Sequence, residues 1–193
     1  MRLPDIKFQL PRWIPDFLEK SGTFFPTGED RMRFAVALSR QNVKNRTGGP
    51  FGAAIFDDSG HLTAPGVNLV TTANCSVLHA EITAIILTQS ILGRYDIGDG
   101  GRLNFSLYAA TEPCVMCFGA VHWSGVRRLV CGARSEDAGA IGFDEGPKPQ
   151  NWVSALEKHG VEVTRDVLRE EAASVLRDYA ASGGLIYNPG HPG

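Results

Sequence analysis

The sequence predicts an α/β fold built around a largely parallel sheet. The chain has 193 residues, of which 43% are hydrophobic and 21% charged, a composition typical of one compact globular domain. Two observations indicate the fold class. Two strand-like runs flank a four-residue turn signal near residue 58, and beyond them short apolar strands alternate with helical segments. Strands that alternate with helices are typical of layered α/β proteins.

The first elements of the domain are a helix and a hairpin. Apolar residues recur with helical spacing over residues 30–43, and a Gly-Gly-Pro sequence ends that helix. Strands are predicted over 51–56 and 61–70, and the Asp-Asp-Ser-Gly turn between them predicts antiparallel pairing. Pro65 lies inside the second strand, so we expect an edge position or a bulge there.

Helices and strands then alternate to the end of the domain. The predicted elements are a helix at 79–92, a strand at 105–110, a helix at 113–123, a strand at 128–132, a helix at 151–159, a strand at 161–164 and a helix at 170–181. Residues 135–150 contain several glycines and prolines and predict an irregular loop. We expect Trp123 and Cys131 to be core residues and His122 to pack within its helix.

The chain ends differ in composition from the domain between them. Residues 1–29 are rich in proline and aromatic residues and are predicted to form an N-terminal arm. This arm packs on the body or on a partner subunit, or else it is a frayed terminus. Residues 30–182 form the predicted globular domain, and residues 183–193 a glycine- and proline-rich tail.

Charge and cysteine content narrow the classes of function. The formal net charge is -2, which lacks the basic footprint of a nucleic-acid-binding protein. No run of residues is long and apolar enough to span a bilayer, and the first residues do not resemble a signal peptide. Two of the four cysteines form a C-x-x-C motif. We therefore expect a cytoplasmic protein, where paired cysteines bind metal or act in redox chemistry more often than they form disulfides.

Two local motifs carry candidate metal ligands. His79-Ala80-Glu81 and Pro113-Cys114-Val115-Met116-Cys117 each stand at the predicted start of a helix. One imidazole and two thiols match a catalytic zinc site whose fourth position is left for water. A helix N-terminus and a bound metal both lower the pKa of a thiol, so this placement favours binding by Cys114 and Cys117 as thiolates.

The charge of this ligand set gives Glu81 a role. Zn²⁺ with two thiolates and a neutral imidazole is formally neutral and therefore a weaker Lewis acid than Zn²⁺ with three imidazoles, so a nearby base is valuable. Glu81 is placed to take a proton from water, and H-x-E…P-C-x-x-C is a known signature of zinc deaminases. Two other interpretations remain: a closed structural zinc site with Cys75 as fourth ligand, and a redox pair, which leaves His79 and Glu81 unexplained.

The order of the motifs identifies a family resemblance. From about residue 30 to about residue 145 the chain resembles the cytidine deaminase-like zinc superfamily. The resemblance is carried by Gly49-Pro50-Phe51-Gly52-Ala53, Asn68, His79-Ala80-Glu81 and Thr111-Glu112-Pro113-Cys114-Val115-Met116-Cys117. The run over residues 141–147, followed by Asn151-Trp152, looks most similar to the bacterial guanine deaminase and ammeline deaminase group.

This resemblance implies a fold, a cofactor and a chemistry. It implies a three-layer α/β/α sandwich with a five-stranded mixed sheet, usually as a homodimer. It implies Zn²⁺ held by His79, Cys114 and Cys117, a proton shuttle at Glu81 and a second carboxylate at Glu145. The implied reaction is deamination of a free nucleobase or related heterocycle. Guanine, which would give xanthine, is the first candidate substrate and ammeline the second, so the expected partner is a small molecule.

Further residues are candidates for holding the base. Glu145 would accept hydrogen bonds from ring N–H groups beside the leaving amino group, with Asp144 as the competing carboxylate. Asn68 presents an amide that reads a base edge, or it is a turn residue. Phe51 and Phe143 either stack on the flat ring or belong to the core.

Two other residues draw attention for different reasons. Glu112 precedes Pro113 and is expected to cap the helix that follows. Tyr187 is the tail residue of interest, because tails close over the site in some relatives.

Other functions on the same scaffold remain open. One is a pyrimidine deaminase acting on cytosine or cytidine. Another is a tRNA adenosine deaminase, which predicts a basic face and a steep salt dependence. The mixed charges over residues 169–178 and the acidic net charge disfavour nucleic acid. A non-catalytic zinc module is disfavoured by Glu81.

Overall fold

The computed structural model describes residues 8–188 and residue 190. A five-stranded sheet has the order β2-β1-β3-β4-β5. Its strands are β1 (Gly52–Phe56), β2 (Leu62–Val67), β3 (Ser106–Thr111), β4 (Arg128–Ala133) and β5 (Glu162–Thr164). Strand β1 runs antiparallel to β2 and β3, whereas β3, β4 and β5 are parallel. The mixed sheet is confirmed, but the expectation of a largely parallel one is wrong for β1, which is antiparallel to both neighbours.

Helices cover both faces of this sheet. Within the described residues they are α1 (Ile14–Ser21), α2 (Gly28–Lys44), α3 (Val70–Ala73), α4 (Ala80–Leu92), α5 (Val115–Ser124), α6 (Ser135–Gly139), α7 (Trp152–Lys158) and α8 (Arg169–Ala181). Helices α2 and α8 pack on one face, and α4, α5 and α7 on the other. The three-layer α/β/α arrangement is confirmed.

Two glycines let helices approach the sheet closely. A Cβ atom on Gly52 of β1 would lie 2.4 Å from the carbonyl oxygen of Ala35 in α2, and one on Gly66 of β2 would lie 2.1 Å from that of Ala80 in α4. The Thr83 hydroxyl also donates a 3.0 Å hydrogen bond to the Val67 carbonyl. These contacts fix the N-terminus of α4 beside the end of β2.

The described part of the N-terminal arm packs on α2. Ile14 at the start of α1 is 2% exposed, and Phe17 stacks on Phe34 of α2 with ring centroids 5.6 Å apart. The Trp13 indole N–H donates to the Thr47 hydroxyl at 3.0 Å. Residues 1–7 lie outside the described residues, as do residues 189 and 191–193.

The structure corrects several local predictions. Trp123 is 80% exposed, so the expectation of a core residue is wrong, whereas Cys131 is fully buried as expected. The strand predicted over 61–70 ends at Val67, because α3 begins at Val70. The loop predicted over 135–150 contains the short helix α6, whose start is capped by Asp137, the acceptor from the Arg134 backbone N–H at 2.8 Å.

No helix among the described residues is both long enough and apolar enough to cross a bilayer.

Candidate active site

A cavity of about 470 Å³ opens where α4 and α5 begin, at the start of β1. This volume falls in the range of small-molecule sites, about 300–1,000 Å³. Its walls include the N-termini of α4 and α5, the start of β1, the end of β3, the loop after α6 and the C-terminal tail. The lining residues that bear on chemistry are Phe51, His79, Glu81, Cys114, Glu145 and Tyr187.

Three candidate metal ligands converge beside this cavity. One ligand atom from each of His79, Cys114 and Cys117 lies within 4.8 Å of the other two. The Nδ1 atom of His79 is 3.6 Å from the Sγ atom of Cys114. In the part of the chain that the structure describes, this is the one group of three or more such side chains close enough to hold a metal. Cys75, considered above as a fourth ligand, does not belong to the group.

The helix starts explain why these side chains meet. His79 is the N-cap residue of α4 and Cys114 that of α5, both with extended backbone, so each side chain projects from the end of its helix. Cys117 follows one turn later and is fully buried. A hydrogen bond from Cys117 lowers the pKa of Cys114 to about 4, against the effect of burial. The same bond and burial raise the pKa of Cys117.

Glu81 points into the site from the first turn of α4. It is 7% exposed and lies beside the Cys117 thiol. Burial raises its pKa, and the charge on Cys114 adds to that effect. A carboxyl group with a raised pKa next to a candidate metal centre suits the transfer of protons near neutral pH.

Glu145 and Asp144 differ although both line the cavity. Burial raises the pKa of Glu145 to about 8, and the charges on Cys114 and Glu81 contribute. Asp144 is exposed, and its carboxylate accepts a 2.8 Å hydrogen bond from the Gly146 backbone N–H. The carboxylate of Asp144 therefore builds the turn, while that of Glu145 is desolvated within the site.

The predicted aromatic residues form one wall of the cavity. The rings of Phe51 and Phe143 pack edge to face with centroids 4.9 Å apart. Phe143 also packs edge to face with Tyr187 of the tail, at 5.2 Å. Such contacts hold the rings in place and leave an apolar surface for a flat heterocycle.

Asn68 is buried close to the cavity but does not line it. Its Oδ1 atom accepts hydrogen bonds from the backbone N–H groups of Gly49 and Val70, at 3.4 and 3.3 Å, so its Nδ2 group is the free end of the amide. Among the described residues, neither that Nδ2 atom nor the buried Tyr187 hydroxyl meets a hydrogen-bond partner with good geometry. Buried polar groups are normally paired, so these two are candidates for meeting a ligand.

Comparison with known proteins agrees with this geometry. Residues 27–133 match the family model for the cytidine and deoxycytidylate deaminase zinc-binding region. This chain belongs to that deaminase family. The matched residues include all three candidate ligands and Glu81, whereas Glu145 and the tail lie beyond them.

Relatives within the deaminase family act on several substrates. The guanine deaminase of Bacillus subtilis (strain 168) is 40% identical over 117 residues, which cover 61% of this chain and 71% of that protein. A solved structure of guanine deaminase from Nitrosomonas europaea is 45% identical, with a TM-score of 0.85 over 92% of this chain and 97% of that one. The tRNA-specific adenosine deaminase of Haemophilus influenzae is 33% identical over 78% of this chain and 82% of its own length.

The expected role of Glu112 in this deaminase is wrong. It does not cap α5, as expected, because its buried carboxylate accepts hydrogen bonds from Arg165, at 2.5 Å, and from the backbone N–H of Ser135, at 3.2 Å. Lys148 joins this group and was not singled out from the sequence. Its position three residues after Glu145 was the available signal.

Proposed function

We propose that this deaminase hydrolyses the exocyclic amino group of guanine and releases xanthine and ammonia. The observation that carries the proposal is one small cavity lined by His79 and Cys114, two of the three converging candidate ligands, and by two carboxyl groups, Glu81 and Glu145, with raised pKa values. The names of two similar proteins, both guanine deaminases, support this substrate. A cavity of about 470 Å³ with an aromatic wall suits a free base.

We propose that the metal is zinc. Two sulfur donors and one imidazole nitrogen form a donor set that Zn²⁺ favours, and three protein ligands are typical of catalytic rather than structural zinc sites. His79, Cys114 and Cys117 would hold the ion. When bound, zinc supplies Lewis acidity that lowers the pKa of water and orients it for attack.

Glu81 has the role of moving the proton. Its carboxylate takes a proton as water attacks the guanine carbon that bears the amino group, a C–O bond forms, and the electron pair of the ring C=N bond moves onto the ring nitrogen. It then delivers that proton to the exocyclic nitrogen, the pair on the ring nitrogen re-forms the C=N bond, the exocyclic C–N bond breaks, and ammonia leaves with xanthine as the other product. Its buried position and raised pKa suit both the uptake and the return of a proton near neutral pH.

Glu145 and the aromatic wall orient the base. The Glu145 carboxyl group faces the cavity and, with a pKa of about 8, can accept or donate a hydrogen bond at the ring edge. Phe51 and Phe143 offer apolar surface to the ring. Because backbone N–H groups occupy the Oδ1 atom of Asn68, this residue would act on the substrate as a donor through Nδ2.

A substrate panel tests this function. The zinc-loaded protein is offered guanine, ammeline, cytosine, cytidine and a tRNA anticodon stem-loop, and ammonia release is measured for each. We expect guanine to give the highest kcat/KM. Turnover of the stem-loop with a steep salt dependence, or of cytosine above guanine, would replace this proposal with the corresponding relative's activity.

We further propose a cytoplasmic homodimer that uses the outer faces of α4 and α5. These neighbouring helices expose apolar side chains to solvent, among them Ile86 at 37%, Ile91 at 63% and Trp123 at 80%. Exposed apolar residues on adjacent helices favour burial against a second copy. The four unpaired cysteines suit a reducing compartment.

Light scattering coupled to gel filtration tests the dimer. We expect Trp123→Arg to give a monomer at concentrations where the parent chain is dimeric. Phe24→Arg, at another exposed aromatic position, is the matched control and leaves the dimer intact. A parent chain that is monomeric at every concentration would contradict the proposal.

A further inference from the structure

A buried lysine lies directly behind the turn that carries Cys114. The Lys148 side chain is 9% exposed, and its Nζ atom donates hydrogen bonds to the Pro113 carbonyl at 2.9 Å and to the Ser135 hydroxyl at 2.5 Å. The same atom lies 3.7 Å from the Glu112 carboxylate and 4.6 Å from the centroid of the Trp152 ring. Burial of an ammonium group is costly unless it is paired, and here two hydrogen bonds, a nearby carboxylate and an aromatic ring surround it.

Two contacts connect the segment from Glu145 to Lys148 with the turn that carries Cys114. On one side, the backbone N–H of Val115 donates to the Glu145 carbonyl at 3.0 Å. On the other, the Lys148 side chain reaches back to the Pro113 carbonyl. A tight turn, with a 2.7 Å bond from the Lys148 N–H to the Gly146 carbonyl, spans the loop between them. The segment from 145 to 148 is therefore fastened at both ends to the residues that flank Cys114.

The charges around Lys148 indicate that its role is not merely to neutralise Glu112. Arg165 approaches the Glu112 carboxylate to 2.5 Å, so Glu112 has a partner without Lys148. Arg165 also lies over the Trp152 ring at 5.6 Å. Two cations and one carboxylate leave a net positive charge beside a site that contains two carboxyl groups and two thiols. The Lys148 charge acts on Glu145 in the direction that stabilises the carboxylate.

We propose that Lys148 is a positioning residue that sets the place of the Glu145 carboxyl group relative to Cys114. This inference rests on the proposed function only in taking Glu145 as the second active carboxyl group. Lys148 does not touch the substrate. It acts through the loop, so its removal lets Glu145 move away from the ring edge.

A double-substitution cycle on the zinc-loaded protein tests this role. Lys148→Met keeps the length of the side chain and removes the ammonium group. We expect it to lower kcat/KM for the best substrate of the panel about tenfold to a hundredfold, as misplacement of about 1 Å does. In the Glu145→Gln background the same substitution should lower kcat/KM less than twofold, because Lys148 acts through Glu145.

Controls separate positioning from general damage. Lys148→Arg, which keeps charge and donors, should recover most of the activity, and Lys158→Met, at an exposed position of α7, should have no effect. Zinc content should stay at one ion per chain in every variant. If Lys148→Met does not fold, Lys148→Gln is used in the same cycle.

The outcomes distinguish this inference from the proposed function. An equal loss from Lys148→Met with and without Glu145, or a loss that follows zinc content, would overturn the role of Lys148. A parent chain that releases no ammonia from guanine refutes the proposed substrate instead. In that case the cycle is measured with the panel compound that is turned over.

Discussion

The side-chain Nδ2 group of Asn42 donates a 2.9 Å hydrogen bond to the backbone carbonyl of Asn68. The same group donates at 2.9 Å to the carbonyl of Gly49, so Asn42 joins the two segments beneath Tyr187. Its Oδ1 atom accepts from the Thr47 hydroxyl at 2.7 Å, and that hydroxyl accepts from the Trp13 indole at 3.0 Å. A continuous set of hydrogen bonds therefore connects the N-terminal arm to Gly49 and Asn68, which lie close to the site.

Removal of the Thr47 hydroxyl from this network should destabilise the fold. Thr47→Val keeps the shape of the side chain but leaves the Asn42 acceptor and the Trp13 donor unpaired. We expect a loss of about 1–3 kcal/mol in the free energy of unfolding, measured with urea. Thr71→Val, at an exposed position, is the matched control. Equal stabilities for the two variants would show that the network contributes nothing.

The proton-transfer role of Glu81 predicts a large effect on rate with little effect on metal binding. Glu81→Gln keeps the size of the side chain and cannot take up a proton. We expect kcat for guanine to fall about 10²–10⁴-fold while zinc content stays unchanged. Glu157→Gln, an exposed substitution in α7, should leave kcat unaltered. Near-normal turnover by Glu81→Gln would remove Glu81 from the chemistry.

The raised pKa of Glu145 predicts a pH-dependent stability in the chain stripped of metal. Burial, with the charges on Cys114 and Glu81, raises this pKa from 4.5 to about 8. Between those values the folded chain binds more protons than the unfolded chain, so the stability associated with this group is lost as the pH rises through that window.

Glu145→Gln should remove this loss. We expect it to raise the free energy of unfolding at about pH 9 by about 2–4 kcal/mol and to change it little at about pH 5, since one pKa unit corresponds to about 1.4 kcal/mol. Asp144→Asn, which alters the exposed neighbour and keeps the turn acceptor, should change neither. Parallel stability curves for Glu145→Gln and the parent chain would refute a desolvated Glu145.

Tyr179 of α8 and Tyr187 of the tail should respond differently to loss of their hydroxyl groups. The Tyr179 hydroxyl donates a 2.7 Å hydrogen bond to the Leu185 carbonyl, whereas that of Tyr187 is buried and has no partner with good geometry in the part of the chain that the structure describes. Tyr179→Phe should cost about 0.5–1.5 kcal/mol, and Tyr187→Phe should be neutral or stabilising, because a buried unpaired group is removed. Thermal unfolding without substrate measures both, and a larger loss for Tyr187→Phe would contradict the assignment.

Features of the fold and the site that depend on neighbouring residues could be predicted from the sequence, whereas those that depend on contacts between distant residues could not. The candidate ligands were predictable because each motif lies at a helix start, where local sequence sets the direction of the side chain. The alternation of strands and helices predicted the layers. The antiparallel pairing of β1 with β3 joins Ala53 to Ala109, and no local pattern signals it.

Other features depend on contacts between distant parts of the chain. Glu112 resembles a helix cap in sequence, and only the fold brings Arg165 and Ser135 to its carboxylate. Trp123 stands in an apolar helix, and its sequence pattern does not distinguish a core face from an outer face. The hydrogen bond of Asn42 likewise depends on the fold, because its partner Asn68 lies 26 residues away.

We propose above all that three side chains hold a metal and leave one of its positions open for water. X-ray absorption at the zinc edge of the loaded protein tests it most directly. We expect two sulfur neighbours at about 2.3 Å and two nitrogen or oxygen neighbours at about 2.0–2.1 Å. A third sulfur neighbour, lost on substitution of Cys75, would show a closed structural site and contradict the account.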